Sequence, residues 1–417
     1  MKIYFKNNKP FIEGVCLDDI INSYSTPFYI YSQKGITETY NKLIENLNSE
    51  IFFSVKANSN QAILKLLKSC GAGADVVSAG ELERALAAGF NSEKIIFEGV
   101  GKSKNDIQYA INNNIRLINI ESINELILVN SIGYSLSKKI NIGIRLNPDI
   151  DGKTLDKIST GKKTDKFGIN IIQLNEIITL IKSCENINLK GISCHIGSQI
   201  HDLSTFKDVF QKMKKIANSL SGEGLNIEYV DLGGGFGVNY EKDSDDLDLK
   251  ELGVLVHSTY NDTPYKISFE PGRFLVARSG ILMTKILTTK ENGGINFLIT
   301  DAGMHTLIRP SMYGAIHRVQ AINNLNTKTI IYTIAGPICE SSDILVKNIN
   351  LPKQEIDNYL AILDVGAYGA VMASNYNSRG IPKEFLIFDD QYSIIRNQES
   401  ITETIKLDII PNWLKLN

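Results

Sequence analysis

The chain lacks most of the features that would set it apart from an ordinary soluble enzyme. It has no run of about 18 apolar residues, so no membrane-spanning helix is expected. Its first ten residues, Met-Lys-Ile-Tyr-Phe-Lys-Asn-Asn-Lys-Pro, lack the long apolar core of a signal peptide, and a secretory leader is not expected either. Cysteine is scarce and irregularly placed: Cys16, Cys70, Cys184, Cys194 and Cys339 make an odd number, with no C-x-x-C. That argues against a disulfide framework and against a zinc site, and a reducing, cytoplasmic compartment is expected. Neither sign of charge is in excess. The net charge is −2, which leaves no electrostatic footprint for nucleic acid or for an anionic membrane. The acidic run from Glu241 to Asp248 is short, is broken by Lys and Ser, and reads as a solvated loop.

What is present is a chain of 417 residues with 43% hydrophobic and 22% charged content, long enough for two domains. Short apolar runs rich in β-branched and aromatic residues recur at 51–56, 74–77, 95–99, 116–120, 140–146, 189–195, 227–232 and 266–270. Segments with helical spacing lie between them, such as 61–70, 80–89 and 206–220. Strands alternating with helices predict a parallel sheet. Eight such units match a (β/α)₈ barrel in size, and a doubly wound sheet would give a similar pattern. The run ends separate the two readings in part. Lys56, Asp75, His195, the glycines of 233–237 and Glu270 to Arg273 gather where a barrel places its active site. After residue 276 the texture becomes β-rich, and the first 30 residues share it. The expected organisation is an α/β barrel over 31–276, with an all-β domain built from 1–30 and 277–417.

Several residues carry candidate chemistry. Lys56 closes an apolar run in Phe-Phe-Ser-Val-Lys-Ala-Asn (52–58). An amine there is able to form a Schiff base with an aldehyde cofactor, or is simply a solvated lysine. Gly-Gly-Gly-Phe-Gly (233–237) follows a run directly, and glycine allows close backbone approach to a phosphate. The spacing does not match the dinucleotide fingerprint, and a plain barrel-corner turn is the alternative. Glu-Pro-Gly-Arg (270–273) offers a carboxylate for a ring nitrogen and a planar fork for an anion, or a turn with a surface ion pair. His195 suits ring stacking or acid–base work, and Ser198 a phosphate contact or a helix cap. Cys339, in Gly-Pro-Ile-Cys-Glu-Ser-Ser-Asp (336–343), stands in a setting that suits a core filler poorly and is a candidate proton donor, with an inert buried cysteine as the alternative. Arg-Pro-Ser-Met-Tyr (309–313) and Gly-Ala-Tyr-Gly (366–369) are basic and aromatic islands between strands.

Taken together, and in this order, these motifs resemble the fold-type III pyridoxal-phosphate decarboxylases, and among them the branch acting on diaminopimelate. The resemblance runs from Phe28 to Pro382 and includes Val-Lys-Ala-Asn (55–58), His-Ile-Gly-Ser-Gln (195–199) and Ser-Asn-Tyr-Asn-Ser-Arg (374–379). One departure is Phe53, where the family carries tyrosine. By position, the resemblance makes Lys56 the Schiff-base lysine, stacks His195 on the ring and sets Glu270 against the pyridine nitrogen. It gives Asp75, Ser198, Gly234, Gly235, Gly237, Pro271, Gly272, Arg273 and Tyr368 to the cofactor. It gives the substrate's far carboxylate to Arg273, Arg309 and Tyr313, with Tyr368 nearby, and its far ammonium to Glu340. Cys339 becomes the proton donor, and Cys339 and Glu340 are supplied across a homodimer with shared sites. The implied reaction is decarboxylation of meso-2,6-diaminopimelate to L-lysine. The rivals are an ornithine, arginine or carboxynorspermidine decarboxylase, a racemase-like relative, and a catalytically silent regulatory homologue.

Overall fold

The apolar runs of this chain are short and mostly continuous instead of alternating, the pattern of strands buried on both faces. In the computed structural model, which describes residues 1–150, 165–241 and 246–414, each of the eight becomes a strand. They are β1 (Glu50–Ser54), β2 (Gly73–Val76), β3 (Ile95–Phe97), β4 (Leu117–Ile120), β5 (Ile140–Asn147), β6 (Ile187–Cys194), β7 (Tyr229–Asp231) and β8 (Lys266–Phe269). All pair in parallel with their sequence neighbours, and β8 pairs with β1. The sheet is therefore a closed barrel, and the doubly wound alternative is excluded. Residues 242–245 of the acidic run lie outside the described residues.

Helices between the strands start where the sequence offers a cap. Asn60, Ser78, Ser103, Ser122, Asp202 and Asp248 each accept a backbone N–H from the first turn that follows. Most strands stop earlier than their apolar runs do, although β4 ends with its run and β5 extends one residue past its own. β1 ends at Ser54, β6 at Cys194 and β8 at Phe269, so Lys56, His195 and Glu270 lie one or two residues beyond the ladder. A backbone that leaves the ladder is free to turn its side chains toward the barrel axis. Among the described residues, no helix is long and apolar enough to cross a membrane.

Contacts divide the chain into two units, one of Ile36–Val276 and one of Met1–Gly35 with Ala277–Asn417. The second is built around Phe28–Ser32, which pairs antiparallel with Gly280–Asn292 and parallel with Lys383–Phe388. That strand ties the start of the chain to its last third. Phe28, Ile30, Ile281, Met283, Phe385 and Ile387 form one core there, all at most 1% exposed. The sheet continues through Ile295–Thr300, Thr329–Ala335 and Ile344–Pro352.

The barrel interior is not wholly apolar. Asp75, Glu98, Glu121, Asp231 and Glu270 are all buried at or near the C-terminal ends of their strands. Arg145 on β5 lies between two of them, with Nη1 2.9 Å from Glu121 Oε1 and 3.5 Å from Glu98 Oε2. Glu98 also accepts from Asn119 Nδ2 and from Ser193 Oγ. Burial disfavours the charged form more than these partners favour it. The Glu98 carboxyl is pushed up to about 7 by burial, against the pull of Arg145, and Asp231 to about 6, again by burial.

A carboxyl held above its ordinary value binds its proton more tightly in the folded chain than in the unfolded one. The stability it contributes is full below about pH 4.5 and is lost as pH rises through about 7. Glu98→Gln removes this titration. The difference in melting temperature between about pH 5 and about pH 7.5 is expected to shrink in the variant. An unchanged difference would place the slope in other carboxylates.

Candidate active site

Lys56 follows β1 in a one-turn 3₁₀ segment, Val55–Ala57. Val55 and Ala57 are buried, which directs the lysine between them the other way; its side chain is 40% exposed. Its Nζ lies 3.2 Å from Asp75 Oδ2, on neighbouring β2. Ser54 Oγ sits 2.7 Å from the same carboxylate oxygen and 2.9 Å from the Glu270 carbonyl, so the last residue of β1 ties the ends of β2 and β8 together. The other carboxylate oxygen of Asp75, and Oε1 of Glu270, are buried without a hydrogen-bond partner among the described residues. Burial holds Glu270 well above the ordinary carboxylate range, reinforced by Asp231, Asp75 and Glu98. Burial thus favours the protonated, uncharged form of this carboxyl.

The glycine loop after β7 is laced to its neighbours. The Gly234 N–H donates to His195 Nδ1 at 3.2 Å, the Gly237 N–H to the Ile200 carbonyl at 3.0 Å, and the Glu270 N–H to the Gly233 carbonyl at 2.8 Å. Because Nδ1 accepts, His195 is neutral with its hydrogen on Nε2. Burial, then the charges of Arg145 and Lys56, hold it well below its ordinary pKa, in agreement. A Cβ on Gly234 would meet the Glu270 carbonyl oxygen at 2.4 Å. At Gly235, where φ is +82°, it would meet the Gly197 carbonyl oxygen at 2.3 Å. These positions need glycine so that the loops after β6, β7 and β8 can close on one another. Phe236 anchors the loop from below, against the rings of Phe206, Phe269 and Phe274 at 5.6–5.9 Å.

Arg273 opens the turn after β8. Its Nη2 is 3.2 Å from Ser198 Oγ and its Nη1 3.1 Å from Tyr240 Oη, so serine, arginine and tyrosine form one polar patch. Pro271 and Gly272 sit buried beneath it; the Pro271 carbonyl accepts from Ser54 N–H at 3.4 Å, and a Cβ on Gly272 would meet Ala57 Cβ at 2.9 Å. The structure therefore brings Lys56, Asp75, His195, Ser198, Gly234, Gly235, Gly237 and Glu270 to Arg273 to one end of the barrel. The tripeptide Gly101-Lys102-Ser103 ends like a phosphate-loop motif, but Ile96 stands where its first glycine belongs. Lys102 Nζ is occupied by Glu125 at 2.6 Å and by the Gly99 and Asn119 carbonyls.

The remaining predicted residues lie in the other unit. Arg309 is 5% exposed and donates from Nη1 to His317 Nε2 at 2.9 Å. Tyr313 ends the same one-turn helix, Arg309–Tyr313, and is half-buried. Ser311 Oγ donates to the Ser342 carbonyl at 2.7 Å, which joins this helix to the loop of Cys339 and Glu340. That loop is braced by Asp343, whose buried carboxylate accepts from Met304 N–H at 2.6 Å and Ile338 N–H at 2.7 Å. Its tip is open: Cys339 and Glu340 are both exposed. Glu340 accepts a hydrogen bond from Tyr376 Oη, and Asn377 Oδ1 accepts from Cys339 N–H at 3.4 Å. Tyr368 is half-buried with φ +56°.

Ser54, Tyr240, His317 and Tyr376, which bond to predicted residues, and Arg145, whose charge acts on His195, are not singled out by sequence reasoning. Arg145 carries a visible signal, a charge inside an apolar run, and Tyr376 stands within the motif at 374–379. Ser54, Tyr240 and His317 carry none.

Comparison with known proteins agrees with this geometry. A family model described as "Pyridoxal-dependent decarboxylase, pyridoxal binding domain" matches residues 33–277. A diaminopimelate decarboxylase of Helicobacter pylori is 40% identical over 94% of this chain and 98% of its own length. Another, of Aquifex aeolicus, is 38% identical over 95% of this chain and 94% of its own. A crystal structure of the diaminopimelate decarboxylase of M. jannaschii in complex with L-lysine superposes with a TM-score of 0.94, at 38% identity and 99% coverage of both chains. The barrel, the strand-end constellation and these relatives agree: the chain belongs to the diaminopimelate decarboxylases, within the pyridoxal-dependent decarboxylases.

Proposed function

We infer that this chain decarboxylates meso-2,6-diaminopimelate to L-lysine with pyridoxal 5′-phosphate, in the cytoplasm, as a homodimer with shared sites. The observation that carries the reading is the pairing at one barrel mouth of an amine, Lys56, with a buried carboxyl oxygen, Glu270 Oε1, that has no partner among the described residues. A ring nitrogen that shares one proton with this carboxyl is the complement that oxygen requires. The residues present fit the cofactor: Lys56 would hold its aldehyde, with Asp75 fixing the amine, and Glu270 would hold its ring nitrogen. His195, neutral, suits a ring face. Ser198, Gly234, Gly235, Gly237, Pro271, Gly272, Arg273 and Tyr368 would hold its phosphate end. When bound, pyridoxal phosphate supplies an aldehyde for the substrate amine and a ring that accepts the electron pair left as carbon dioxide departs.

The protein's own groups do the rest. Glu270, buried at the barrel mouth, would hold a proton against the ring nitrogen. Arg273, Arg309 and Tyr313 hold the carboxylate that is retained, and Glu340 the ammonium beside it. Two planar guanidinium forks select a diacid over ornithine, arginine or carboxynorspermidine, whose far ends carry no second carboxylate of this kind. Cys339 Sγ delivers the proton to the carbon that has lost its carboxylate. Both Cys339 and Glu340 stand exposed on a braced loop of the single chain, which suits groups supplied across a dimer.

Three measurements test this reading. Lys56→Ala is expected to abolish the visible absorption band of the protein-bound cofactor, and a retained band would overturn the lysine assignment. Arg309→Ala is expected to raise KM for meso-diaminopimelate about ten- to a hundredfold, the loss of a hydrogen bond to a charged group, while moving kcat less. An unchanged KM would remove Arg309 from the substrate site. Mixing inactive Lys56→Ala and Cys339→Ala dimers is expected to restore activity once subunits exchange. No recovery after exchange, confirmed by mass spectrometry, would place each site within one chain.

A further inference from the structure

We propose that His317 is the positioning residue for Arg309, and that it works as a neutral acceptor which fixes the guanidinium without neutralising it. The inference rests on the reading of Arg309 as the group that holds the retained carboxylate.

Local sequence brings the two together. Arg-Pro-Ser-Met-Tyr forms a single helical turn with proline in its first turn, and Gly314 ends it in the left-handed region at φ +67°. The Gly314 N–H returns to the Pro310 carbonyl at 2.9 Å, and the Ala315 N–H to the Arg309 carbonyl at 3.4 Å. Glycine at that position reverses the chain. Residues 315–318 then run back past Arg309 into the strand Val319–Ala321, which pairs antiparallel with Tyr359–Ile362. His317 sits just before that strand, and the pairing continues past it, since the Leu363 N–H donates to the Arg318 carbonyl at 2.8 Å.

The hydrogen-bond logic fixes the imidazole. His317 Nδ1 is 3.0 Å from the Leu363 carbonyl oxygen, which only accepts, so Nδ1 carries the hydrogen. Nε2 therefore offers a lone pair, and it faces Arg309 Nη1 at 2.9 Å. A guanidinium is a donor only and stays charged, so the two ends of the imidazole are matched in opposite senses. Both side chains are buried, His317 at 1% and Arg309 at 5% exposure, so the pair is shielded from competing water. A carboxylate in place of His317 would also orient the arginine. It would in addition cancel the charge that a substrate carboxylate must meet. Imidazole supplies direction and leaves the charge intact.

Three variants separate this role from a merely structural one. His317→Leu removes the acceptor, His317→Gln keeps one on the side chain, and His317→Glu keeps one but adds the opposing charge. With meso-diaminopimelate and the cofactor-loaded enzyme, His317→Leu is expected to raise KM about tenfold with kcat little changed, and His317→Gln to recover most of that loss. His317→Glu is expected to remain folded and still raise KM at least as far as His317→Leu. Wild-type KM in both the Leu and Glu variants would overturn the proposal, as would a fall in kcat and melting temperature common to all three. If the Leu variant does not fold, the contrast between Gln and Glu decides: equal KM values overturn the proposal, and a raised KM in Glu alone supports it. An Arg309→Ala variant with unchanged KM would instead overturn the reading beneath it. A raised KM there, with no effect at His317, would overturn this inference alone.

Discussion

A carboxylate taken out of water must find a cation, collect donors or hold a proton, and among the described residues the barrel buries five of them at or near the ends of its strands. Each is settled differently. Asp75 meets Lys56, Glu121 meets Arg145, Glu98 collects Arg145, Asn119 and Ser193, and Asp231 collects Ser268 Oγ and the Gly233 N–H. Glu270 keeps one oxygen with no partner among the described residues, and burial favours its protonated form. An unpaired buried oxygen costs stability of the order of 1–3 kcal/mol. A ring nitrogen that shared its proton would relieve that cost, so in the proposed reading the feature that weakens the barrel by itself is the one that would hold the cofactor. The loops after β1, β6, β7 and β8 are bonded to one another around this oxygen, which keeps it from relaxing into a private contact.

The barrel is legible in the sequence because its strands are interrupted in a regular way. Each apolar run ends in, or is followed directly by, a polar or glycine residue, and eight such endings in series suit few architectures besides a barrel. What the runs do not reveal is where the ladder stops. Lys56, His195 and Glu270 lie past the last paired residue, since a side chain bound to the ladder is committed to one face of the sheet. The glycines of 233–237 are legible as a motif but their cause is not. Gly234 and Gly235 are required by carbonyl oxygens of neighbouring loops at 2.4 and 2.3 Å, a constraint that comes from residues 270 and 197. Ser54 bonding to residue 270, Tyr240 reaching Arg273 and His317 behind Arg309 are all products of pairing between distant segments. No local periodicity encodes them.

The two ends of the proposed substrate site differ in their physics. Arg309 is buried, directed by His317 and ready before anything binds. Glu340 and Tyr376 are exposed, and their hydrogen bond, which raises the pKa of the Tyr376 phenol, sits in open solvent. Exposed charge contacts are worth little, because water competes for both partners and salt screens them. The Glu340 carboxylate gains discriminating power over an ammonium only where water is removed from around it. The backbone beneath it is already fixed, for Asp343 holds the Met304 and Ile338 amides and Gly303 and Gly336 leave it room. A rigid loop with an exposed tip is the arrangement expected of a group whose environment is completed by something outside the chain. In the proposed reading the Arg309 end is ordered within its own unit, and the Glu340 end would gain its discrimination only once a surface covers it. The order follows from the charges involved: a guanidinium keeps its proton wherever it is placed and tolerates burial with a neutral acceptor, whereas burial in advance pushes a carboxyl toward its uncharged form, as it pushes Glu98 and Glu270, and works against the charge it needs.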